Sequence, residues 1–176
     1  MNEYGVVTEP RTVYFERLLP GPIERVWAYI TESEKRGKWL GTGEMELRVG
    51  GRVDLKFHHA DLSSKIEPTP ERFKQRESTH LVGRVTRCEP PRLLSWIWDV
   101  SSGSEVTFEL TPRGADVMLA LTHRGLHDRN AMLSVGPGWH AHLGVLADNL
   151  NGREPGPFWS TFVPLEAEYA KRIPPD

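Results

Sequence analysis

Seven histidines are the side chains of this chain that could do acid–base or metal chemistry near neutral pH. His58 and His59 are adjacent, so on a strand they point to opposite faces and do not easily share one ion. His140 and His142 are two positions apart on a predicted helix, about 200° around its axis, so they diverge as well. No pair of His, Cys or Asp has ligand spacing on one face, and we therefore expect no metal site and no cofactor.

His123 is the histidine with the clearest predicted position. It alternates in register with Leu119 and Leu121, so it should face the interior of a strand-built core. An inward histidine beside tryptophans can orient a ligand carbonyl or hydroxyl, or titrate near neutral pH. It can equally be a structural histidine whose hydrogen bonds are all satisfied within the protein.

Other chemical signatures are missing from the sequence. It contains no nucleophile elbow, phosphate loop or dinucleotide fingerprint. The single cysteine, Cys88, reads as a half-buried structural residue rather than a reactive thiol. We therefore assign no catalytic residues, and the tryptophans become the main candidates for a binding site.

The elements that must position these residues follow from hydrophobic periodicity. A first strand is predicted over Arg11–Leu18, followed by short helices over Ile23–Ile30 and Thr31–Gly37. Two alternating runs, Met45–Val49 and Val53–Phe57, flank Gly50-Gly51 and predict a hairpin.

The second half of the chain predicts four more strands and a long helix. Residues 60–78 carry prolines and charges and are interpreted as an exposed insertion. Trp139, Leu143, Leu146 and Leu150 form an apolar stripe at helical spacing, preceded by a loop over Gly125–Gly136. The remaining predicted elements are strands over Leu81–Arg87, Leu93–Trp98, Val106–Leu110 and Val117–His123, and a last helical segment over Phe158–Ile173.

Bulk properties limit the classes of function. With 176 residues, 38% hydrophobic and 26% charged, the chain fits a single domain with a buried core. A net charge of −2 gives no overall basic field, so we expect neither nucleic acid nor a membrane as partner. The absence of an apolar leader and of a second cysteine agrees with a cytoplasmic location.

Strands segregated from helices predict an α+β class with helix packed on one sheet face. The order of the predicted elements and several short motifs within them resemble those of the activator of Hsp90 ATPase homologue 1-like family, which is part of the START/Bet v 1-like (SRPBCC, helix-grip) superfamily. The matching motifs cover roughly Thr12 to Gly152 and are Pro22-Ile23-Glu24-Arg25-Val26-Trp27, Lys38-Trp39-Leu40, Val49-Gly50-Gly51, Gly83, Glu89-Pro90-Pro91-Arg92-Leu93, Trp96-Ile97-Trp98, Val106-Thr107-Phe108-Glu109-Leu110, Leu121-Thr122-His123 and Gly138-Trp139.

The resemblance implies a helix-grip fold, in which a curved antiparallel sheet of six to seven strands wraps around a long C-terminal helix. We expect one domain over 1–176, with a core of about 12–152, an inserted loop at 60–78 and an extension at 153–176. Such a fold can enclose a cavity for a small hydrophobic or aromatic ligand. The residues expected to line it are Trp39, Leu55, Phe57, Trp96, Trp98, Phe108, Leu119, Leu121, His123, Trp139, Leu143 and Leu146.

Two alternatives stay open at this point. The same pocket could serve an enzyme of polyketide cyclase or hydratase type, with His123 as the candidate acid–base. The chain could also be a co-chaperone-like partner of an Hsp90-type chaperone, docking through the insertion or through Phe158, Trp159 and Phe162. A homodimer is compatible with any of these hypotheses.

Overall fold

The computed structural model describes residues 3–175 of the chain. Their elements are β1 (Val6–Glu9), β2 (Thr12–Pro20), α1 (Ile23–Thr31), α2 (Ser33–Arg36), β3 (Arg52–His58), short 3₁₀ helices at His59–Leu62 and Glu71–Arg76, β4 (Ser78–Glu89), β5 (Leu93–Ile97), β6 (Glu105–Arg113), β7 (Asp116–Arg124), α3 (Arg129–Leu150) and α4 (Phe158–Arg172). Among these helices, none combines the length and the apolar character needed to cross a bilayer.

All seven strands form one curved antiparallel sheet in the order β1-β2-β7-β6-β5-β4-β3. Helix α3 packs across the sheet, and its stripe of Trp139, Leu143, Leu146 and Leu150 is buried. The helices α1 and α2 follow β2, the strand that the sequence analysis placed first. The predicted α+β class and helix-grip architecture are therefore confirmed.

Alternation along the strands decides which side chains face the core. On β6 and β7, Phe108 lies opposite Leu121 and Leu110 lies opposite Leu119, and all four are buried. Since strand side chains alternate between faces, the residues between them are turned outward. The inward rows predicted from the sequence coincide with those observed.

The predicted hairpin at Met45–Phe57 is wrong in its first arm. Only Arg52–His58 forms a strand, while the preceding residues touch it through isolated bridges such as Met45 to Val53. The backbone N–H of Gly51 bonds to the Arg48 carbonyl at 2.8 Å, which closes a local turn before a second strand can extend. Val49 is accordingly 67% exposed. The alternation of apolar and polar residues over Met45–Val49 therefore did not produce a strand, because the chain forms a turn there instead.

Helix α3 begins earlier than predicted and includes the residues assigned to a loop. The Asp128 side chain accepts a hydrogen bond from the backbone N–H of Ala131 at 2.8 Å, which caps the helix ten residues before Trp139. Pro137 lies inside the helix, and its neighbour Gly136 packs on the Tyr169 ring of α4. Tertiary packing therefore stabilises a stretch whose Gly and Pro content favours a loop.

Most of residues 60–78 are exposed, as predicted for an insertion, but Leu62 and Phe73 are buried, and the segment packs against the C-terminal helix. Phe73 stacks on Trp159 of α4 with a centroid distance of 4.5 Å and an interplanar angle of 5°, and both are buried. The indole N–H of Trp159 donates to the Glu77 carboxylate at 2.7 Å. The insertion and α4 together form a second layer beside the end of β3.

Candidate functional site

A partly open cavity of about 160 Å³ lies between α3 and the ends of β3, β4 and β5. Its walls are largely apolar, which is typical of a site for a small organic molecule. The residues that line it are Leu40, Phe57, His59, Arg76, Thr79, Leu81, Trp98, Ser134, Val135, Gly138, Trp139 and His142.

One face of α3 supplies a wall of the cavity. Val135, Gly138, Trp139 and His142 follow the i, i+3, i+4, i+7 pattern that puts side chains on the same side of a helix. A Cβ atom added to Gly138 would meet no heavy atom within 4 Å. The helix therefore leaves open space at this position, flanked by an indole and an imidazole.

The sheet supplies the opposing aromatic wall. Phe57 is the last inward residue of β3, and Trp98 follows directly after β5. The Trp98 ring lies 5.9 Å from Phe57 and 5.0 Å from Trp139, centroid to centroid, and is tilted to both. These three rings form a continuous aromatic surface that a flat apolar ligand could contact.

His142 brings a polar atom into this apolar wall. Its Nδ1 lies 2.7 Å from the Trp39 carbonyl oxygen, and since a carbonyl only accepts, Nδ1 carries the proton. Nε2 is then a lone-pair acceptor, and it has no hydrogen-bond partner within residues 3–175. Burial lowers the pKa of His142 to about 3, helped by the neighbouring His59 and opposed by the Trp39 carbonyl, so the ring is neutral at neutral pH.

His59 repeats this arrangement from the other side of the cavity. Its Nδ1 donates to the Glu77 carbonyl at 3.1 Å, which leaves Nε2 as an acceptor. The pKa of His59 is lowered by burial, an effect that Glu77 opposes. The His59 and His142 rings are 5.4 Å apart, centroid to centroid, and we name them the histidine pair.

Glu77 holds the segment that carries His59. Its carboxylate accepts hydrogen bonds from Trp159 Nε1 at 2.7 Å, from Thr69 Oγ1 at 2.9 Å and from the Ala60 backbone N–H. Burial raises the pKa of Glu77, but these hydrogen bonds outweigh it and the net pKa is lowered. The anchor is therefore a charged carboxylate at neutral pH.

Arg76 lies at the mouth of the cavity. Its guanidinium donates to Ser134 Oγ at 3.1 Å and lies 5.5 Å from the Phe73 ring. No carboxylate of the described chain forms an ion pair with it, whereas the neighbouring Arg72 pairs with Glu166. The mouth therefore carries a positive charge that no described carboxylate pairs with directly, although Glu166, which is bound to Arg72, acts on it from a longer distance.

Three of the twelve residues expected from the sequence, Phe57, Trp98 and Trp139, line this cavity. The other nine lie around it in the packed core and contribute no cavity surface; they are Trp39, Leu55, Trp96, Phe108, Leu119, Leu121, His123, Leu143 and Leu146. Trp96, for example, stacks on Phe108 with a centroid distance of 5.3 Å. Much of the concave sheet face is therefore filled by side chains.

His123 faces inward as expected, but both of its ring nitrogens are engaged. Nδ1 accepts from Trp139 Nε1 at 3.0 Å, and Nε2 pairs with Ser104 Oγ at 2.9 Å. Burial lowers its pKa to about 3. These contacts match the structural alternative of the sequence analysis and leave no ring nitrogen for a ligand.

Sequence reasoning missed the histidine pair because it compared histidines within single elements. His140 and His142 do diverge, and His140 turns to Tyr169 at 2.9 Å. One signal for His142 was available, since it shares a helical face with Trp139. Nothing local indicated His59, which directly precedes the inserted segment, or Arg76, which lies within it. Within residues 3–175, no group of three or more potential ligands is arranged to hold a metal ion.

Comparisons with solved structures identify the same architecture in other proteins. A protein from Bordetella parapertussis, determined in solution by NMR, is 45% identical, with a TM-score of 0.81 over 97% of this chain and 90% of that chain. CalU16 from Micromonospora echinospora is 22% identical, with a TM-score of 0.67 over 92% of this chain and 88% of that chain. The Aha1 dimer from Colwellia psychrerythraea is 18% identical, with a TM-score of 0.56 over 79% of this chain and 95% of that chain.

The two more distant structures show the fold alone. No curated protein matches the chain. The family model described as activator of Hsp90 ATPase homolog 1-like protein matches residues 20–151, which include α1, α2, β3 to β7 and all of α3. The chain therefore belongs to the activator of Hsp90 ATPase homolog 1-like family.

Proposed function

We propose that this protein binds a small hydrophobic or aromatic molecule in the cavity between α3 and the sheet. The observation that carries the proposal is the cavity itself, which is lined by three aromatic rings and by the two histidines with acceptor nitrogens. Apolar surface removed from water there would supply the driving force, and the few polar atoms would orient the ligand.

The volume sets the size of the ligand. A dry apolar cavity of roughly 150 Å³ holds one benzene ring. The present cavity is about 160 Å³ and partly open, so a single ring fits inside and its substituents can extend through the mouth. A long acyl chain or a fused polycycle would require the surrounding core to open.

Binding is favoured over the cyclase or hydratase alternative by the electrostatics of the histidine pair. A general base works best when its pKa is near the operating pH. Burial lowers the pKa of His142 to about 3, so its neutral ring accepts hydrogen bonds but is a weak base for removing a proton from carbon. These groups suit recognition better than turnover.

The aromatic residues at the start of α4 give less support to the alternative of docking to an Hsp90-type chaperone. Phe158, Trp159 and Phe162 are each less than 5% exposed, because they pack on the inserted segment. Aromatic side chains covered by their own domain offer little area to a partner.

Formation of a homodimer is a prediction separate from ligand binding. The relative from Colwellia psychrerythraea is described as a dimer, and β1 is an edge strand of this sheet with only β2 beside it. An uncovered edge can pair with a second copy. Light scattering after size exclusion would check it, and a monomer mass at high micromolar concentration would contradict it.

Ligand binding is tested by filling the cavity from a position that tolerates a side chain. Gly138→Leu places an isobutyl group in the open space beside Trp139, whereas Gly144→Leu introduces the same side chain on α3 away from the cavity, again with no atom within 4 Å of its Cβ. We expect phenol and toluene to raise the Tm and to change tryptophan emission in the wild type and in Gly144→Leu, and to do neither in Gly138→Leu.

The native protein gives a second readout. Native mass spectrometry that finds a co-purifying molecule of one-ring size would identify the ligand class directly. If neither aromatic probe binds at millimolar concentration and Gly138→Leu only stabilises the helix, the cavity is not a binding site.

A further inference from the structure

We propose that the cavity selects an aromatic ring that carries a hydrogen-bond donor at its buried end and an acidic group at its mouth, as in a hydroxyaryl carboxylate. His142 would accept the hydrogen bond from the donor, and Arg76 would pair with the acid. The inference rests on the proposed function and specifies which ligand that function takes.

The histidine pair presents acceptor nitrogens to the cavity. His142 is 6% exposed, and its proton is committed to the Trp39 carbonyl, so the remaining nitrogen presents a lone pair. His59 presents a second lone pair for the same reason. Neither nitrogen is among the fully buried side-chain atoms without a partner, so water can reach both, and a hydroxyl or N–H of the ligand would replace that water. A ligand carbonyl or ether oxygen placed there would bring two lone pairs together and gain no hydrogen bond.

The mouth offers the opposite polarity. Arg76 has no ion-pair partner within the described chain, and none of the residues that line the cavity is acidic. An aromatic acid whose ring lies against Trp98 and Trp139 can direct its carboxylate to this guanidinium. Arginine matches a carboxylate by forming two parallel hydrogen bonds.

Two pairs of nearly isosteric probes separate the two contacts. Para-hydroxybenzoate and para-fluorobenzoate differ in the donor. Para-hydroxybenzoate and para-hydroxybenzamide differ in the charge. We expect para-hydroxybenzoate to bind about tenfold more tightly than the fluoro compound and about fivefold more tightly than the amide, as calorimetry would measure.

Matched variants assign each preference to one residue. In His142→Asn the side-chain amide can still donate to the Trp39 carbonyl, but the acceptor in the cavity is lost, so the preference over the fluoro compound should fall to about one. In Arg76→Gln the preference over the amide should disappear, and in Arg76→Lys it should largely return. Arg113→Gln is the control, because Arg113 is exposed at the end of β6 and lies outside the cavity lining.

The outcomes separate this inference from the proposed function. If all probes bind with similar affinity and the variants leave their ratios unchanged, the cavity is a binding site without this selectivity and the inference is overturned. If none of the probes and neither phenol nor toluene binds, the proposed function fails as well. Preferences that follow His142 and Arg76, with Tm values close to the wild type, support the inference.

Discussion

Among the individual side chains, two buried histidines with the same lowered pKa have different hydrogen-bond environments. His123 bonds through both ring nitrogens, to Trp139 and Ser104, whereas His142 bonds through one and turns the other to the cavity. The chemistry available to a buried histidine therefore depends on whether its ring nitrogens already have hydrogen-bond partners within the protein. His123 is part of the scaffold that orients Trp139, and His142 is part of the site.

Removing the Ser104 hydroxyl tests the scaffold role of His123. Ser104→Ala leaves the buried Nε2–H without its acceptor, which typically costs about 1–3 kcal/mol of stability. We expect urea unfolding to show a loss of that size. Ser102→Ala, in an exposed turn, is the control. Equal stability of the two variants would contradict the prediction.

Arg36 is a second buried polar side chain with a structural role. It is fully buried, and its guanidinium donates to the carbonyls of Thr31 at 2.9 Å and Gly41 at 3.1 Å, and also to Gly43. Burial lowers its pKa to about 10, so it stays charged. These bonds hold the turn that delivers Leu40 to the cavity.

Replacing Arg36 should cost more than replacing its neighbour. Arg36→Met leaves several buried carbonyls unpaired, so we expect a loss of more than about 2 kcal/mol in the free energy of unfolding. Lys35→Met, at a solvent-accessible position whose ammonium pairs with Glu32, should change it far less. Chemical denaturation of both variants measures the difference.

Among the secondary-structure elements, the inserted segment and α4 behave as one unit. Phe73 stacks on Trp159, Trp159 bonds to Glu77, and Arg72 pairs with Glu166 on α4. The same segment carries Arg76 to the cavity and begins directly after His59. Docking of α4 therefore positions one wall of the site, although α4 itself contributes no residue to the cavity lining.

Truncating Trp159 should loosen that wall. Trp159→Ala removes a buried indole, and such a truncation typically costs about 3–5 kcal/mol. We expect faster hydrogen exchange across residues 59–77 and weaker binding of aromatic probes, with exchange of β6 and β7 less affected. Val163→Ala, at a position of α4 that is 38% exposed, should leave both unchanged. Uniform acceleration over the entire chain would argue against a separate unit.

For the folded protein as a unit, four histidines make stability depend on pH in a defined direction, among them His59, whose pKa burial lowers. Burial lowers the pKa of His123 and His142 to about 3 and, with nearby arginines, that of His140 to about 4. In the unfolded chain the pKa of each is close to the ordinary histidine value of 6.5. The unfolded state therefore binds more protons below that value, and the stabilisation is lost as pH falls toward about 3.

Acid should thus destabilise the protein before its carboxylates titrate. At pH 5.5, His123 and His142 each contribute up to about 1.4 kcal/mol of destabilisation, and the partly exposed His140 contributes less because solvent screens its interactions. We expect the Tm to be flat above pH 7 and to fall between pH 6.5 and 5. His142→Asn should show a shallower slope over this range, whereas His58→Asn, an exposed histidine, should follow the wild type. A Tm independent of pH down to 5 would show that these histidines are not buried as neutral rings.

Much of the fold could be predicted because the spacing of apolar residues along an element shows which of its faces is buried. Alternation on β6 and β7 and the stripe on α3 each repeat an apolar residue at the period of the element, so the buried face follows without knowledge of the partner. The same reasoning failed at Met45–Val49, where hydrogen bonds around Gly51 close a turn, and at the start of α3, where contacts with α4 stabilise a Gly- and Pro-containing stretch.

The site depended on contacts between segments far apart in the chain. Phe57, Trp98 and Trp139 were predicted as candidates because each lies at the inward position of a periodic element. His59, Arg76 and the acceptor nitrogen of His142 come together only when the inserted segment docks on α4 beside α3. Periodicity specifies which face of an element is apolar, but it carries no information on which elements meet, and hydrogen-bond partners and cavities arise from that meeting.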